Sequence, residues 1–290
     1  MKRLIRSAAN RVLAPLASEL SLQQAASTQA AQHQLAAHYA AVAAAGKPLP
    51  RFEDAGFRVF SQTDQDGLLV YIFALIGTTN RLCVELAFGT PFGANTTNLI
   101  CNWGWHGVLL EADPALVDGA RAFFARHPDT WVFPPAVHQA WVTAENINDI
   151  LRIHGMAGDI DLLSLDIDGV DYWVWKAVDA VRPRVVVVEF QDMWGAQRAV
   201  TVPYDPSFAR GIHADFFGAS LAAFVKLGRQ KGYRLVGANR YGYNAFFVRD
   251  DIVAHVLAEV EPQACLRHPK VEQSQRERLP AVRDLGWVEV

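Results

Sequence analysis

Disulfide chemistry is the first thing this chain lacks. Its 290 residues hold three cysteines, Cys83, Cys101 and Cys265, odd in number, far apart and without a Cys-x-x-Cys pair. That pattern gives no disulfide framework and points to a reducing compartment, so a cytoplasmic protein is expected. Charge of one sign is lacking too. A formal net charge of −3 and a pI near 6.3 leave no basic field to attract nucleic acid, and none is expected as a partner. Nowhere do about eighteen uncharged apolar residues follow one another, so no transmembrane segment is expected. The opening Met1-Lys2-Arg3-Leu4-Ile5-Arg6 is charged as a signal peptide would be, but no apolar stretch of adequate length follows it.

Several catalytic signatures are missing as well. The chain has no His-Glu-x-x-His pair for zinc, no Gly-x-Ser-x-Gly nucleophile elbow and no Gly-Lys-Ser/Thr phosphate loop. No internal repeat competes with a globular reading.

What is present is an apolar share of 51%, enough in a chain this long for a substantial core with extensions. Residues 1–50 are rich in Ala and Gln and stop at Gly46, Pro48 and Pro50, which predicts a peripheral helical extension of one or two helices. Within it Leu4, Ile5, Ala8, Val12 and Leu16 form a helical stripe beside Lys2, Arg3, Arg6 and Arg11, a face for packing or for a membrane surface. From residue 51 to about 255 strand and helix signals alternate. Strands are expected at 81–86, 105–110, 130–137, 162–167 and 185–190, with helices at 65–76, 96–102, 115–126, 143–151 and 172–178. A long insertion over 191–215 and an amphipathic helix through Leu221, Phe224, Val225 and Leu227 follow. Strands 233–238 and 244–248 then make a hairpin. The pattern predicts a doubly wound, mostly parallel seven-stranded sheet with a C-terminal antiparallel hairpin. Residues 256–290 form a C-terminal extension, either a terminal helix or a tail, with Trp287 as its anchor if it packs.

Ligands of an open α/β sheet bind beyond the carboxyl ends of its strands. Glu85, Glu111, Asp166 and Glu189 all fall at such ends and define an acidic rim. Gly89 and Gly93 after the first strand let backbone approach a ligand, although their spacing is not that of a dinucleotide fold. Glu111 is placed to accept the hydroxyls of a ribose. The run Leu162-Leu163-Ser164-Leu165-Asp166-Ile167-Asp168-Gly169-Val170-Asp171 delivers three acids to one strand exit. Asp166, Asp168 and Glu189 suit a divalent cation such as Mg²⁺; the same acids equally suit direct contact with a ligand, a base, or capping of the next helix. His138, just past the third strand, is the best-placed imidazole for a general base, with a structural role as its alternative.

A set of motifs resembles a known family. Ser61-Gln62 with Asp66-Gly67, Ile76-Gly77-Thr78-Thr79-Asn80, Val84-Glu85, Asn95-Thr96-Thr97-Asn98-Leu99 and Leu163 through Gly169 are similar to FkbM-related class I S-adenosylmethionine-dependent methyltransferases of a bacterial branch. Asp171-Tyr172-Trp173-Val174-Trp175, Val202-Pro203-Tyr204-Asp205-Pro206, Phe217-Gly218-Ala219-Ser220-Leu221 and Asn244-Ala245-Phe246-Phe247-Val248 extend the match across about residues 55–252. The resemblance implies that Glu85 and the Gly89 loop, with Gly93 and Asn95, hold the methionine part of S-adenosylmethionine while Glu111 takes the ribose. It implies methyl transfer to a hydroxyl of a small molecule such as a sugar or polyketide-like compound, with Asp166 or His138 receiving the proton and Asp168 orienting the acceptor or a metal. The first loop departs from the family's glycine-rich form at Leu86-Ala87-Phe88 and Thr90-Pro91. That departure keeps a second reading open, a non-catalytic ligand-binding protein of the same fold. Oligomeric state is left open.

Overall fold

The computed structural model describes residues 28–290 and divides them between two compact units, the first ending at Leu49 and the second running from Pro50 to Val290. In the first unit residues 28–44 form a helix, α1, ended by a turn at Gly46 with φ +62°. The amphipathic stripe at Leu4–Leu16 lies outside the described residues.

The second unit carries, in chain order, α2 (Gln65–Ile76), β1 (Leu82–Leu86), α3 (Thr97–Trp103), β2 (His106–Glu111), α4 (Pro114–Phe124), β3 (Ala136–Gln139), α5 (Ile147–Ile153), β4 (Gly158–Leu165), α6 (Asp171–Ala177), β5 (Val181–Glu189), β6 (Val200–Thr201), α7 (Leu221–Lys231), β7 (Tyr233–Ala238), β8 (Asn244–Arg249), α8 (Pro269–Glu277), α9 (Leu279–Val282) and β9 (Val288–Glu289). Seven strands form one sheet in the order β3-β2-β1-β4-β5-β8-β7. Parallel pairing runs from β3 through β5, and β8 is inserted antiparallel to both β5 and β7. The expected sheet and its C-terminal hairpin are therefore present. Val185–Val188 are buried on both faces, as a central strand between helical layers requires.

Local chemistry explains the boundaries. Asp113 caps α4 by accepting from the Ala115 amide, and Pro114 occupies the first helical position, where its missing N–H costs nothing. Ser220 caps α7 through the Ala223 amide. One expected element moves: the third strand begins at Ala136, not Thr130, because Pro134 and Pro135 have no N–H to donate to a ladder. Residues 130–133 instead form a turn in which Thr130 is buried and Trp131, Val132 and Phe133 are exposed.

The C-terminal extension is docked on the second unit. Trp287 packs against Trp194 and Phe216 with ring centroids 5.0 Å apart in both pairs, and β9 pairs with β6 in a separate two-stranded sheet. Among the described residues no helix is long and apolar enough to cross a membrane.

The Asp66-Gly67 motif acts at the base of the loop after β1. One Asp66 oxygen accepts the amides of Val59, Phe60 and Ser61 at 2.7–2.8 Å, and that turn binds Gly93 through Gly93 N to Phe60 O and Gln62 N to Gly93 O. Gly67 lets α2 close on the turn: a Cβ there would lie 2.2 Å from the Phe57 nitrogen and 2.6 Å from the Ala55 oxygen. Gly67→Ala is expected to lower stability by about 1–3 kcal/mol in urea unfolding; an unchanged midpoint would contradict this packing.

Candidate functional site

The order of the sheet reverses between β1 and β4, and a crevice opens beyond their carboxyl ends. Ala87, immediately after β1, takes a left-handed φ of 51°, which turns the chain sharply away from the sheet. Gly89 and Gly93 follow at φ +65° and +127°, and a Cβ on either would meet nothing within 4 Å, so open space lies over both.

Glu85 is buried and turned into the protein. Its carboxylate accepts the amides of Asn95 and Thr96 at 2.8 and 3.0 Å, and burial raises its pKa against the pull of these donors. Asn95 in turn donates to Ser164 Oγ at 3.0 Å, while its own Oδ1 is buried without a donor. Glu85 therefore shapes the loop from beneath. Glu111 closes β2, with one oxygen accepting the Gly89 amide at 2.8 Å and the other the Asp113 amide at 2.9 Å. Beside it lies a narrow, mainly apolar slot lined by Ala87, Ala112, Ala140, Trp141, Ile167 and Phe208.

A wider basin of about 730 Å³ adjoins the slot and shares Ala87 as a wall. Asp166, Asp168 and Glu189 face it, each with a carboxylate oxygen within 4.8 Å of the others. Burial first, then the neighbouring Asp171, pushes the Asp166 carboxyl up to about 7. Burial together with Asp166 holds Glu189 well above the usual carboxylate range. Two carboxyls this close and this buried resist carrying both charges at once, so the folded pair favours keeping a proton. Asp171 lies below, accepting the Ile167 and Gly169 amides at 2.7 and 3.0 Å, which closes the turn that presents Asp166 and Asp168. Asp168 has φ 55°, a strained value for a residue with a side chain, and is ion-paired to Arg210.

The insertion after β5 closes over the slot. Trp141 Nε1 donates to the Pro206 carbonyl at 2.8 Å, Tyr204 binds Glu145, and Phe208 covers Gly169, where a Cβ would meet its ring at 2.7 Å. The C-terminal extension forms another wall of the basin. Lys270 lies 2.9 Å from the buried Asp192, and Arg278 reaches Asp192 at 3.3 Å, Asp215 at 2.8 Å and Gln191 at 3.1 Å.

The residues expected at the site thus divide. Asp166, Asp168 and Glu189 meet in the basin; Glu111, Gly89, Gly93, Glu85 and Asn95 form the adjoining loop and its supports. His138 is elsewhere. Its ring stacks on His154 at 3.6 Å, with burial and then His154 and Arg121 lowering its pKa, and it does not line the basin. The residue stands at the carboxyl end of β3, paired with Leu110 of β2, but its imidazole is directed to the C-terminal end of α5 rather than into the basin. Arg240 lines a different cavity beside β7, whereas Tyr243 faces the basin. Gln62, Arg210, Asp215, Lys270 and Arg278 were not anticipated there. Only Ser61-Gln62 had a sequence signal, through the motif that contains it.

No protein-family model matches the chain, and no curated protein matches it. Solved structures do show likeness. The methyltransferase domain of bacterial CtHen1 is 15% identical, with 64% of this chain and 97% of that chain covered and a TM-score of 0.42. The glycopeptide N-methyltransferase MtfA complexed with S-adenosyl-L-homocysteine is 11% identical, with 72% and 95% covered and a TM-score of 0.41. An O-methyltransferase from Bacillus cereus is 16% identical, with 58% and 72% covered and a TM-score of 0.36. The fold assignment rests on the strand order itself: a mostly parallel seven-stranded sheet with one antiparallel strand beside its edge is a class I methyltransferase, Rossmann-like architecture.

Proposed function

We propose that this protein binds S-adenosylmethionine and transfers its methyl group to a hydroxyl oxygen of a small molecule such as a sugar or polyketide-like compound, as an FkbM-related methyltransferase. The observation that carries this reading is the meeting, at Ala87, of an apolar slot beside Glu111 with an acidic basin around Asp166. The cofactor's chemistry fits the residues present. Each Glu111 oxygen already holds one amide and keeps a lone pair for a ribose hydroxyl. The slot offers Ala112, Trp141 and Ile167 to an adenine ring, and the space over Gly89 and Gly93 leaves room for the methionine chain. The buried Asn95 Oδ1 without a donor supports a small adjustment of this loop when the ligand's ammonium group arrives.

S-adenosylmethionine, when bound, supplies an electrophilic methyl group. The chain's own work is to align an acceptor oxygen with it and to take the oxygen's proton. Asp166 is the base: a carboxyl raised to about 7 by burial is matched to proton transfer near neutral pH. Glu189 helps the pair keep that proton, and Asp168 with Arg210 orients the acceptor at the rim. A divalent cation such as Mg²⁺ is a second role for the same acids, favoured by the convergence of Asp166, Asp168 and Glu189. It would replace the retained proton. His138 has no part in either role.

Titration calorimetry with S-adenosylhomocysteine tests the site. Glu111→Ala is expected to weaken binding about 10–100-fold, the value of hydrogen bonds to a charged group. Equal affinity in both proteins would remove Glu111 from the site. Binding without transfer to any hydroxylated acceptor would favour the non-catalytic alternative.

A further inference from the structure

A cavity of about 280 Å³ opens beside β7, at the end of the sheet away from β3 and three strands from β4. Its floor follows from a glycine. The register of β7 on β8 shifts between Leu235 and Gly237, and the Phe52 ring fills the space over Gly237, where a Cβ would lie 2.3 Å from it. Phe246 and Tyr71 meet that ring edge-on, with centroids 5.5 and 6.2 Å away. The facing wall comes from the C-terminal extension. The Val260 amide donates to the Leu235 carbonyl at 2.9 Å, and a single 3₁₀ turn, Pro262–Cys265, brings in Ala264. The volume falls just below the roughly 300–1,000 Å³ of small-molecule sites, so a ligand here would be small.

The rim of this cavity carries cations. Arg240 and Arg267 line it, both exposed, and among the described residues neither guanidinium has a carboxylate within ion-pair distance. The acid of the lining, Glu53, is held by Arg51 at 3.2 Å. Two guanidiniums against one carboxylate leave a net single positive charge, which suits a monoanion. His268 adds a donor: its Nδ1 accepts the Lys270 amide at 3.2 Å, so the neutral ring carries its proton on Nε2. Tyr241 packs edge-on against that ring, with centroids 4.9 Å apart. Burial, then Glu53, pushes the Cys265 thiol up to about 12, so it stays protonated and brings no competing charge. Asn239 is fully engaged within the protein, its Oδ1 accepting the Tyr243 and Asn244 amides and its Nδ2 donating to Thr63. What the lining offers is an apolar bed beside guanidinium forks, whose planar pair of donors matches a carboxylate.

We propose that this cavity is a second binding site, for a small monocarboxylate with an apolar body, the carboxylate on Arg240, Arg267 and His268 and the apolar body over Phe52, Val260 and Ala264. The inference does not rest on the methyl-transfer reading, since none of these residues lines the slot or the basin.

The test is titration calorimetry of the full chain with sodium octanoate as the probe, beside 1-octanol, which has the same chain and no charge. Saturable one-to-one octanoate binding is expected, weakened by salt, with octanol at least about tenfold weaker. Arg240→Gln with Arg267→Gln should weaken octanoate binding at least about tenfold, the value of hydrogen bonds to a charged group, with an unchanged circular dichroism spectrum. Ala264→Trp, which fills the cavity from its wall, should abolish the binding. No saturable octanoate binding, octanol binding as tight as that of octanoate, or wild-type octanoate affinity in the double variant overturns the proposal. So does wild-type affinity in Ala264→Trp, which would place the octanoate elsewhere on the molecule.

Discussion

Arg184→Met is expected to cost about 3–5 kcal/mol of stability at pH 7, the price of leaving a buried carboxylate without its partner. That carboxylate is Asp161, fully buried on β4 and 2.9 Å from the Arg184 guanidinium. It also accepts the amides of Thr79, Asn80 and Arg81 at 2.7–3.0 Å and the Thr79 hydroxyl at 2.8 Å. Arg184 donates further to the carbonyls of Ile76 and Gly77, so the pair ties the end of α2 and the start of β1 to β4 and β5. Asp161→Leu combined with Arg184→Met should recover much of the loss, since no charge is then stranded. Burial opposes the Asp161 charge, yet Arg184 and the Arg81 and Thr79 donors outweigh it and hold the carboxyl below its usual range. A depressed folded pKa means that the stabilisation is present above the unfolded value, about 3.9, and is lost as pH falls through the folded value. Urea unfolding from pH 7 to 2 should therefore show a steep acid limb that Asp161→Asn flattens. A loss below about 1 kcal/mol for Arg184→Met would contradict the buried-pair argument.

The acid pair in the basin should act in the opposite sense. Asp166 and Glu189 both have raised folded pKa values, chiefly through burial, so the folded state holds protons that the unfolded chain releases. Their contribution is complete below the unfolded values near 4 and falls as pH rises through about 7. Glu189→Gln should accordingly stabilise the protein at pH 8, by about 1–3 kcal/mol, and flatten the alkaline side of its stability profile. Asp166→Asn should lower methyl transfer by about 10²–10⁴ while leaving S-adenosylhomocysteine affinity close to wild type. If a cation occupies the pair, MgCl₂ at pH 8 should raise the wild-type Tm and leave Glu189→Gln unmoved. A Glu189→Gln protein that is less stable than wild type at pH 8 would contradict the retained proton.

The sheet was legible because alternating apolar strands and helices leave few alternatives, and Glu85, Glu111 and Asp166 mark strand ends directly in the sequence. The third strand was displaced because Thr130 to Phe133 looks apolar enough for a ladder, while the barrier at Pro134-Pro135 decides where pairing begins. His138 shows another limit. Position along a strand can be read from the pattern, but the direction of a ring at a short edge strand depends on what packs there, here His154. Lys270 and Arg278 reach the basin through tertiary docking of a segment that follows β5 by about eighty residues, anchored by Trp287 on Trp194 and Phe216. No local signal marks such a wall. Asp192 and Asp215 were likewise visible only as loop acids until their cationic partners arrived from that segment.

Titration calorimetry of the full chain with S-adenosylhomocysteine, run beside NAD, is the most direct trial of the crevice between β1 and β4 as a methyl-donor site. Saturable one-to-one binding of S-adenosylhomocysteine with none of NAD is the expected result. NAD binding alone, or no binding of either ligand, would contradict it.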